Sequence, residues 1–149
     1  MTPTQQKIYN NLLIYLEEHC TLDNSIPADV GCAEAVSFIL HKSGIAGLPF
    51  TGIPGTATLY EWLSHNPHFK RVYIPEPGAL IISPTGYGNN TVSGHTGFLG
   101  KYGKYYAGDW GIVSNDSNTG FLLELWNLNR WQKHYGQQGG LPVAFFRAL

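Results

Sequence analysis

The hydrophobic pattern of this chain changes its period once, and that change constrains the fold more than any single motif. In the first third, apolar residues recur at helical spacings of three and four. From residue 72 onward, short β-favouring runs are separated by Gly, Pro and Asn. Helices followed by strands predict an α+β domain with N-terminal helices packed on an antiparallel sheet. With 149 residues, one domain over 1–149 is large enough to bury its own core.

The helical part is predicted to contain an outer helix and a central one. Residues 4–19 form an amphipathic helix with Thr4 as its N-cap, and this helix packs on a core that spans residues 29–147. Turn-forming residues from Thr21 to Gly31 lead to a second helix that begins at or near Cys32. Apolar residues surround most of that second helix, so we expect it to be the buried one.

Two further short helices and five strands complete the prediction. The helices span residues 58–64 and 126–135. The strands are predicted at residues 72–74, 79–82, 96–99, 111–113 and 143–146.

Charge and apolar run length exclude several classes of function. Nine Lys and Arg balance ten Asp and Glu, and the basic residues are not clustered, so nucleic acid is not an expected partner. The sequence has no run of about 18 apolar residues and no signal-peptide pattern. We therefore expect a protein made in the cytoplasm without a signal peptide and with no membrane partner. Two cysteines in no zinc-type pair predict neither a disulfide framework nor a metal site, and we expect no other cofactor.

Cys32 is the candidate nucleophile. A thiol attacks as its thiolate, and a helix N-terminus beside an imidazole lowers the pKa of a thiol. Gly31 before the sulfur and Ala33 after it leave space for a tight turn and for a substrate. The alternative is that Cys32 is a small buried apolar residue. Cys20, at the other end of a helix, is predicted to be structural.

His95 is the candidate base, because it alone among the six histidines begins a strand-like run. An imidazole in that role needs a third group to hold its ring. The polar loop after the next strand offers Asn115 first, because it follows that strand directly, then Asp116 and then Asn118. The same loop is also typical of an ordinary hairpin.

Several aromatic residues are candidates for a substrate groove together with the Gly-rich loop 85–94. Those predicted to bind substrate are Tyr60, Trp62, Tyr87 and Trp110. Aromatic residues also fill small cores, and that alternative explains them equally well.

Three segments together resemble a known enzyme family: Cys32 at a helix start, Pro-Gly-Ala-Leu-Ile-Ile-Ser from Pro77, and Gly-His-Thr-Gly-Phe-Leu-Gly from Gly94. The chain resembles the papain-like cell-wall peptidases of the NlpC/P60 and CHAP superfamily, particularly single-domain phage-type endolysins. Gly31 and Ala79 stand where acidic residues are common in NlpC/P60 members. The segment from Ile112, with the later tryptophans, is more similar to CHAP-like endolysins, which favours Asn115.

The resemblance implies a Cys32, His95 and Asn115 or Asp116 site that hydrolyses peptidoglycan. The enzyme would be a monomer acting on the stem peptide and amino sugar, after release or injection into the wall compartment. Either an endopeptidase or an N-acetylmuramoyl-L-alanine amidase fits. The alternatives are a Cys-His protease, deamidase or acyltransferase that acts on a protein, and a catalytically silent wall-binding protein.

Overall fold

The computed structural model describes residues 1–21 and 31–149, and it confirms the α+β class. The helices are α1 (Pro3–Tyr15), α2 (Cys32–Lys42), α3 (Thr56–His65) and α4 (Leu128–Trp131), the last followed by a π-helix, Gln132–Gln138. The strands are β1 (Phe69–Val72), β2 (Leu80–Ser83), β3 (His95–Tyr102), β4 (Trp110–Asn115), β5 (Leu122–Asn127) and β6 (Ala144–Ala148). Within the described ranges, no helix is long and apolar enough to span a bilayer.

The six strands form one antiparallel sheet in the order β1-β6-β2-β3-β4-β5. Strand β3 lies inside the sheet, between β2 and β4. Its first residue, His95, pairs with Ser83 at the end of β2. The N-terminal end of β3 is therefore held in place by both neighbouring strands.

Side chains alternate along each strand, so the sheet presents residues on both of its faces. Helical elements cover both faces. On one face, Phe98 of β3 joins the core formed by α1, α2 and α3. On the other face, Leu99 packs in a second core that contains Trp131 and Tyr135 from α4 and the π-helix. The sequence indicated the first of these layers, and the second is a new finding.

Helix α1 ends at Tyr15, so the prediction that it continues to residue 19 is wrong. Leu16 turns into an extended conformation, and Glu17 has a left-handed φ of 68°. The Glu17 N–H then donates to the Leu122 carbonyl at 2.8 Å, and the Leu122 N–H donates to the Glu18 carbonyl at 2.9 Å. These residues leave the helix because they pair with the edge of β5.

The prediction also missed β5, whose last two residues were assigned to a helix over 126–135. Trp126 and Asn127 instead end the strand by pairing with β4. The Asn127 side chain then accepts a hydrogen bond from the Arg130 N–H at 2.8 Å, which caps α4. One asparagine thus separates strand from helix.

The Glu76 carboxylate connects the start of the chain to its last strand. It accepts hydrogen bonds from Arg147 Nε at 2.6 Å and Nη2 at 2.9 Å, and from Gln5 Nε2 at 3.3 Å. The Gln5 side chain in turn accepts from the Ala148 N–H at 3.0 Å. The Arg147 guanidinium lowers the pKa of Glu76.

We predict that Glu76→Gln lowers the free energy of unfolding at pH 7 by about 1 kcal/mol, because the pair with Arg147 is only partly exposed. Since the folded-state pKa lies below the unfolded value, this contribution is complete above that unfolded value, about 4.3, and is lost as the pH falls through the folded-state pKa. Urea unfolding at pH 7 and pH 3 measures both parts. A difference between variant and wild type that is unchanged at pH 3 would contradict the assigned cause.

Candidate active site

Cys32, a partly buried residue, is the first residue of α2, and its sulfur lies against the start of β3. The backbone of Thr96 hydrogen-bonds to this sulfur, as do the backbone groups of Ala33 and of Cys32 itself. These hydrogen bonds lower the pKa of the thiol, but burial raises it by more, and the net direction is upward. The expected lowering by the helix N-terminus is therefore outweighed by desolvation.

Cys20 has the structural position that was predicted for it. It is 1% exposed, and its sulfur lies 3.6 Å from the Glu18 carbonyl. Burial, and then the charge of Glu18, raise its pKa to about 12. This thiol is thus both covered and protonated.

His95 begins β3, one residue before the Thr96 backbone that contacts Cys32. Its Nε2 lies 3.0 Å from Ser114 Oγ on β4. The ring stacks on Trp131, with centroids 5.1 Å apart and an interplanar angle of 28°, and on Tyr135 at 5.9 Å and 25°. Strand pairing and aromatic packing together hold the imidazole in one orientation.

The contact between His95 and Ser114 depends on a close approach of β3 to β4. A Cβ atom on Gly97 would lie 2.5 Å from the Val113 carbonyl oxygen and 2.8 Å from Ser114 Cβ. Any larger residue at position 97 would push the strands apart. Glycine is required here for space, two residues along the strand from the imidazole.

Trp131 is itself fixed beneath the imidazole by a hydrogen bond. Its indole N–H donates to Ser83 Oγ at 3.0 Å, and Ser83 is the strand partner of His95. Trp131 and Ser83 are both fully buried. Trp131 was predicted to lie in a helix but not at the site, because a hydrogen bond between residues 48 positions apart leaves no local pattern in the sequence.

Burial first, and the charge of His134 second, lower the pKa of His95 to about 4. With the pKa of Cys32 raised, the pair is a neutral thiol and a neutral imidazole at pH 7. A resting thiolate–imidazolium pair is therefore not the form that this geometry favours.

Tyr135 is a third polar group at this point and was not identified from the sequence. The residue is buried, and its phenol lies close enough to Cys32 for the thiol to oppose ionisation of the phenol. Burial first, and Cys32 second, raise the pKa of Tyr135 well above its ordinary value. The Tyr135 hydroxyl therefore stays protonated at pH 7.

The predicted third residue, Asn115, lies on the face of the sheet opposite to Ser114. A Cβ atom on Gly31 would be 3.3 Å from Asn115 Nδ2, so the amide packs against the residue before Cys32. The structure thus places Asn115 next to the nucleophile segment and Ser114 next to the imidazole. Asn115 as the orienting residue stays a prediction.

The other two loop candidates lie in the turn between β4 and β5. Asp116 Oδ2 accepts hydrogen bonds from the Thr119 N–H at 3.1 Å and from Thr119 Oγ1 at 2.7 Å. Asn118 is exposed in the same turn. Both residues fit the hairpin alternative that the sequence left open.

The four aromatic residues predicted to bind substrate are not brought together. Tyr60 and Tyr87 form an edge-to-face pair 5.3 Å apart, and the Tyr87 hydroxyl donates to Glu61. Trp62 packs on Phe69 on another side of α3.

Trp110 contacts Tyr102 at the far end of β3. At about 3.3 Å per residue, that end is roughly 23 Å from His95. Trp110 is thus remote from Cys32 and His95.

A cavity of about 650 Å³ adjoins the aromatic packing around His95. It is lined by Trp126, Asn127, Asn129, Arg130, Lys133, His134 and Gln138. The centroid of Trp126 lies 6.2 Å from that of His95. Residues 22–30, most of the turn-forming segment predicted before Cys32, lie outside the described residues. Among residues 1–21 and 31–149, no three His, Cys, Asp or Glu side chains are grouped to hold a metal ion.

Comparison with known proteins gives no relative from which a role can be transferred: no protein-family model and no curated protein matches the chain.

We predict that His95 titrates with a midpoint near pH 4, because burial opposes its protonated form. The ring proton shifts of the folded protein, measured by NMR between pH 3 and pH 8, test this. His95→Gln identifies the signal by its disappearance. Since the folded-state pKa lies below the unfolded value of about 6.5, His95 stabilises the fold fully above pH 6.5 and loses this contribution as the pH falls toward 4. A midpoint near 6.5 would contradict the buried state of the ring.

Proposed function

We propose that this chain is a papain-like cysteine hydrolase of bacterial peptidoglycan, of the NlpC/P60 and CHAP type. The observation that carries the proposal is that the start of β3 contacts Cys32 and also carries His95. The Cys32 sulfur hydrogen-bonds to the Thr96 backbone, and the preceding residue, His95, is held by Ser114. A nucleophile at a helix start and an oriented base are the elements of thiol acyl transfer.

The reaction starts from neutral groups. As Cys32 Sγ forms a bond to the substrate carbonyl carbon, its proton passes to His95, which is unprotonated at pH 7. The tetrahedral intermediate collapses when the C–N bond breaks, and the leaving nitrogen takes the proton from His95. Water, deprotonated by His95, then attacks the thioester, and Cys32 regains its proton as the carboxylic acid leaves.

The negative charge on the substrate oxygen requires donors that are in place before the reaction. The Cys32 backbone N–H, at the N-terminus of α2, supplies one. We assign the role of second donor to the Tyr135 hydroxyl, because Tyr135 is buried, protonated and close enough to Cys32 to interact with it electrostatically. Burial makes the resting thiol less acidic, and the same low-polarity surroundings strengthen these donors once charge develops.

The substrate assignment follows from the resemblance of three segments to wall peptidases: Cys32 at a helix start, the Pro-Gly-Ala run at Pro77 and the Gly-His-Thr-Gly run at Gly94. The chain acts on the stem peptide of peptidoglycan, as an endopeptidase or an amidase, after it reaches the wall. The Tyr60 and Tyr87 pair on α3 and the adjoining loop offers an aromatic surface for that polymer.

We predict that purified wild-type protein clears isolated sacculi in a zymogram and that Cys32→Ala reduces clearing at least a thousandfold, because no other group replaces the sulfur. Cys20→Ala is the matched control and retains activity, since that thiol is buried and protonated. Absence of clearing by the wild type would refute the proposed substrate. Clearing by Cys32→Ala would remove Cys32 from the mechanism.

We predict that Ser114→Ala lowers kcat about tenfold, because the imidazole loses the group that orients Nε2. The matched variant is Asn115→Ala, one residue further along β4 and on the other face. The rate of release of soluble muropeptides by each variant measures the effect. A larger loss in Asn115→Ala, with Ser114→Ala unchanged, would assign the orienting role to Asn115.

A further inference from the structure

The charged residues that line the cavity next to the imidazole are all positive. Arg130 and Lys133 supply two permanent cations to its lining, and His134 adds an imidazole. Among its lining residues, which all lie in the described part of the chain, none is acidic. Asp109, which accepts a hydrogen bond from the Asn129 N–H at 3.0 Å, contacts this segment from outside the lining. Cations placed together in a concave site favour an anionic ligand.

Arg130 is already oriented in the absence of a ligand. Its guanidinium lies 4.1 Å from the Trp126 ring centroid and donates through Nη1 to the Leu125 carbonyl at 3.2 Å. The side chain is nevertheless exposed, and the guanidinium keeps further N–H donors. A planar guanidinium held this way binds carboxylates with two parallel hydrogen bonds and loses little side-chain entropy.

Neutral donors complete the lining. Asn129 and Gln138 contribute side-chain amides at the rim. The His134 ring lies 5.6 Å from that of Trp126, and its Nδ1 lies 3.3 Å from the Gln138 side-chain oxygen. His134 and Lys133 belong to the π-helix, a conformation that is rare in proteins overall but is often found at functional sites.

The cavity is one aromatic ring away from the reacting groups. The Trp126 ring centroid lies 6.2 Å from that of His95 and 4.1 Å from Arg130 Cζ. Arg130 Cζ is therefore no more than about 10 Å from the centre of the imidazole. An extended peptide covers about 3.3 Å per residue, and this distance corresponds to roughly three residues.

From this geometry we infer that the cavity formed by Trp126, Arg130, Lys133 and His134 binds a carboxylate of the substrate peptide, within about three residues of the bond that is cut. This assignment rests on the proposed function for the class of ligand, a stem peptide, and adds the requirement that its carboxylate be free. The chain hydrolyses stem peptides whose carboxylates are free and discriminates against those whose carboxylates are amidated.

The test uses the full chain carrying Cys32→Ala, labelled with ¹⁵N, and the tetrapeptide L-Ala–γ-D-Glu–meso-diaminopimelate–D-Ala as the probe. We expect the Trp126 indole signal to shift on titration and the affinity to fall at least tenfold with the same peptide in its amidated form. Arg130→Gln, added to Cys32→Ala, lowers the affinity at least tenfold, and Lys133→Gln lowers it severalfold. Lys7→Gln, an exposed cation on α1, is the matched control and leaves the affinity unchanged.

Arg130→Lys keeps the positive charge but removes the planar guanidinium that packs on Trp126. It therefore separates the effect of the charge from the effect of lost packing. Near-UV circular dichroism verifies that each variant is folded. Equal binding of the free and amidated peptides, or unchanged affinity in both Arg130→Gln and Lys133→Gln, overturns the inference. Clearing of sacculi by the wild type is scored separately. Clearing without carboxylate-dependent binding rejects this inference alone, whereas carboxylate-dependent binding without clearing rejects the hydrolase and supports the cavity.

Discussion

The structure depends on β3 being buried on both faces. One face presents Phe98 to the helices, and the other presents His95 and Leu99 to the aromatic layer formed by α4 and the π-helix. Neighbouring residues of a strand point to opposite faces of the sheet. Thr96 therefore contacts Cys32 on the helical face, while the aromatic layer supports the His95 imidazole on the other face. The candidate site exists where these two layers reach the end of one strand.

Burial also decides the electrostatics of the site. A helix N-terminus stabilises a nearby anion by about 0.3–1 kcal/mol at exposed positions, and up to about 2 kcal/mol when partly buried. Desolvation shifts the pKa of a fully buried group by several units, each of about 1.4 kcal/mol. The second effect is larger here, so Cys32 is held as a thiol and His95 as a neutral base. At pH 7 the thiol and the imidazole are therefore both uncharged in the folded protein.

The sequence predicted the parts of this molecule that local patterns determine. The period of the apolar residues indicated α2 and its start at Cys32, and Gly-rich punctuation indicated β2, β3 and β4. It did not indicate β5, although β4 is close in sequence, because the edge of Leu122–Asn127 is completed by Glu17 and Glu18, which lie more than 100 residues earlier. The contacts of His95 with Ser114, Trp131 and Tyr135 were missed for the same reason. The pKa directions at Cys32 and His95 were out of reach, since they follow from burial in the completed fold.

Trp131 and Tyr135 have a further consequence, because they follow Cys32 and His95 in the sequence. During synthesis, Cys32 and His95 leave the ribosome well before the residues that stack on the imidazole. Until then, the ring has solvent where Trp131 and Tyr135 later pack, and β2 has no indole donor for Ser83. Because tertiary packing forms as the chain emerges, the candidate site is completed only after α4 and the π-helix are available. The order of synthesis thus places Cys32 and His95 in the growing chain before the aromatic layer that supports the imidazole.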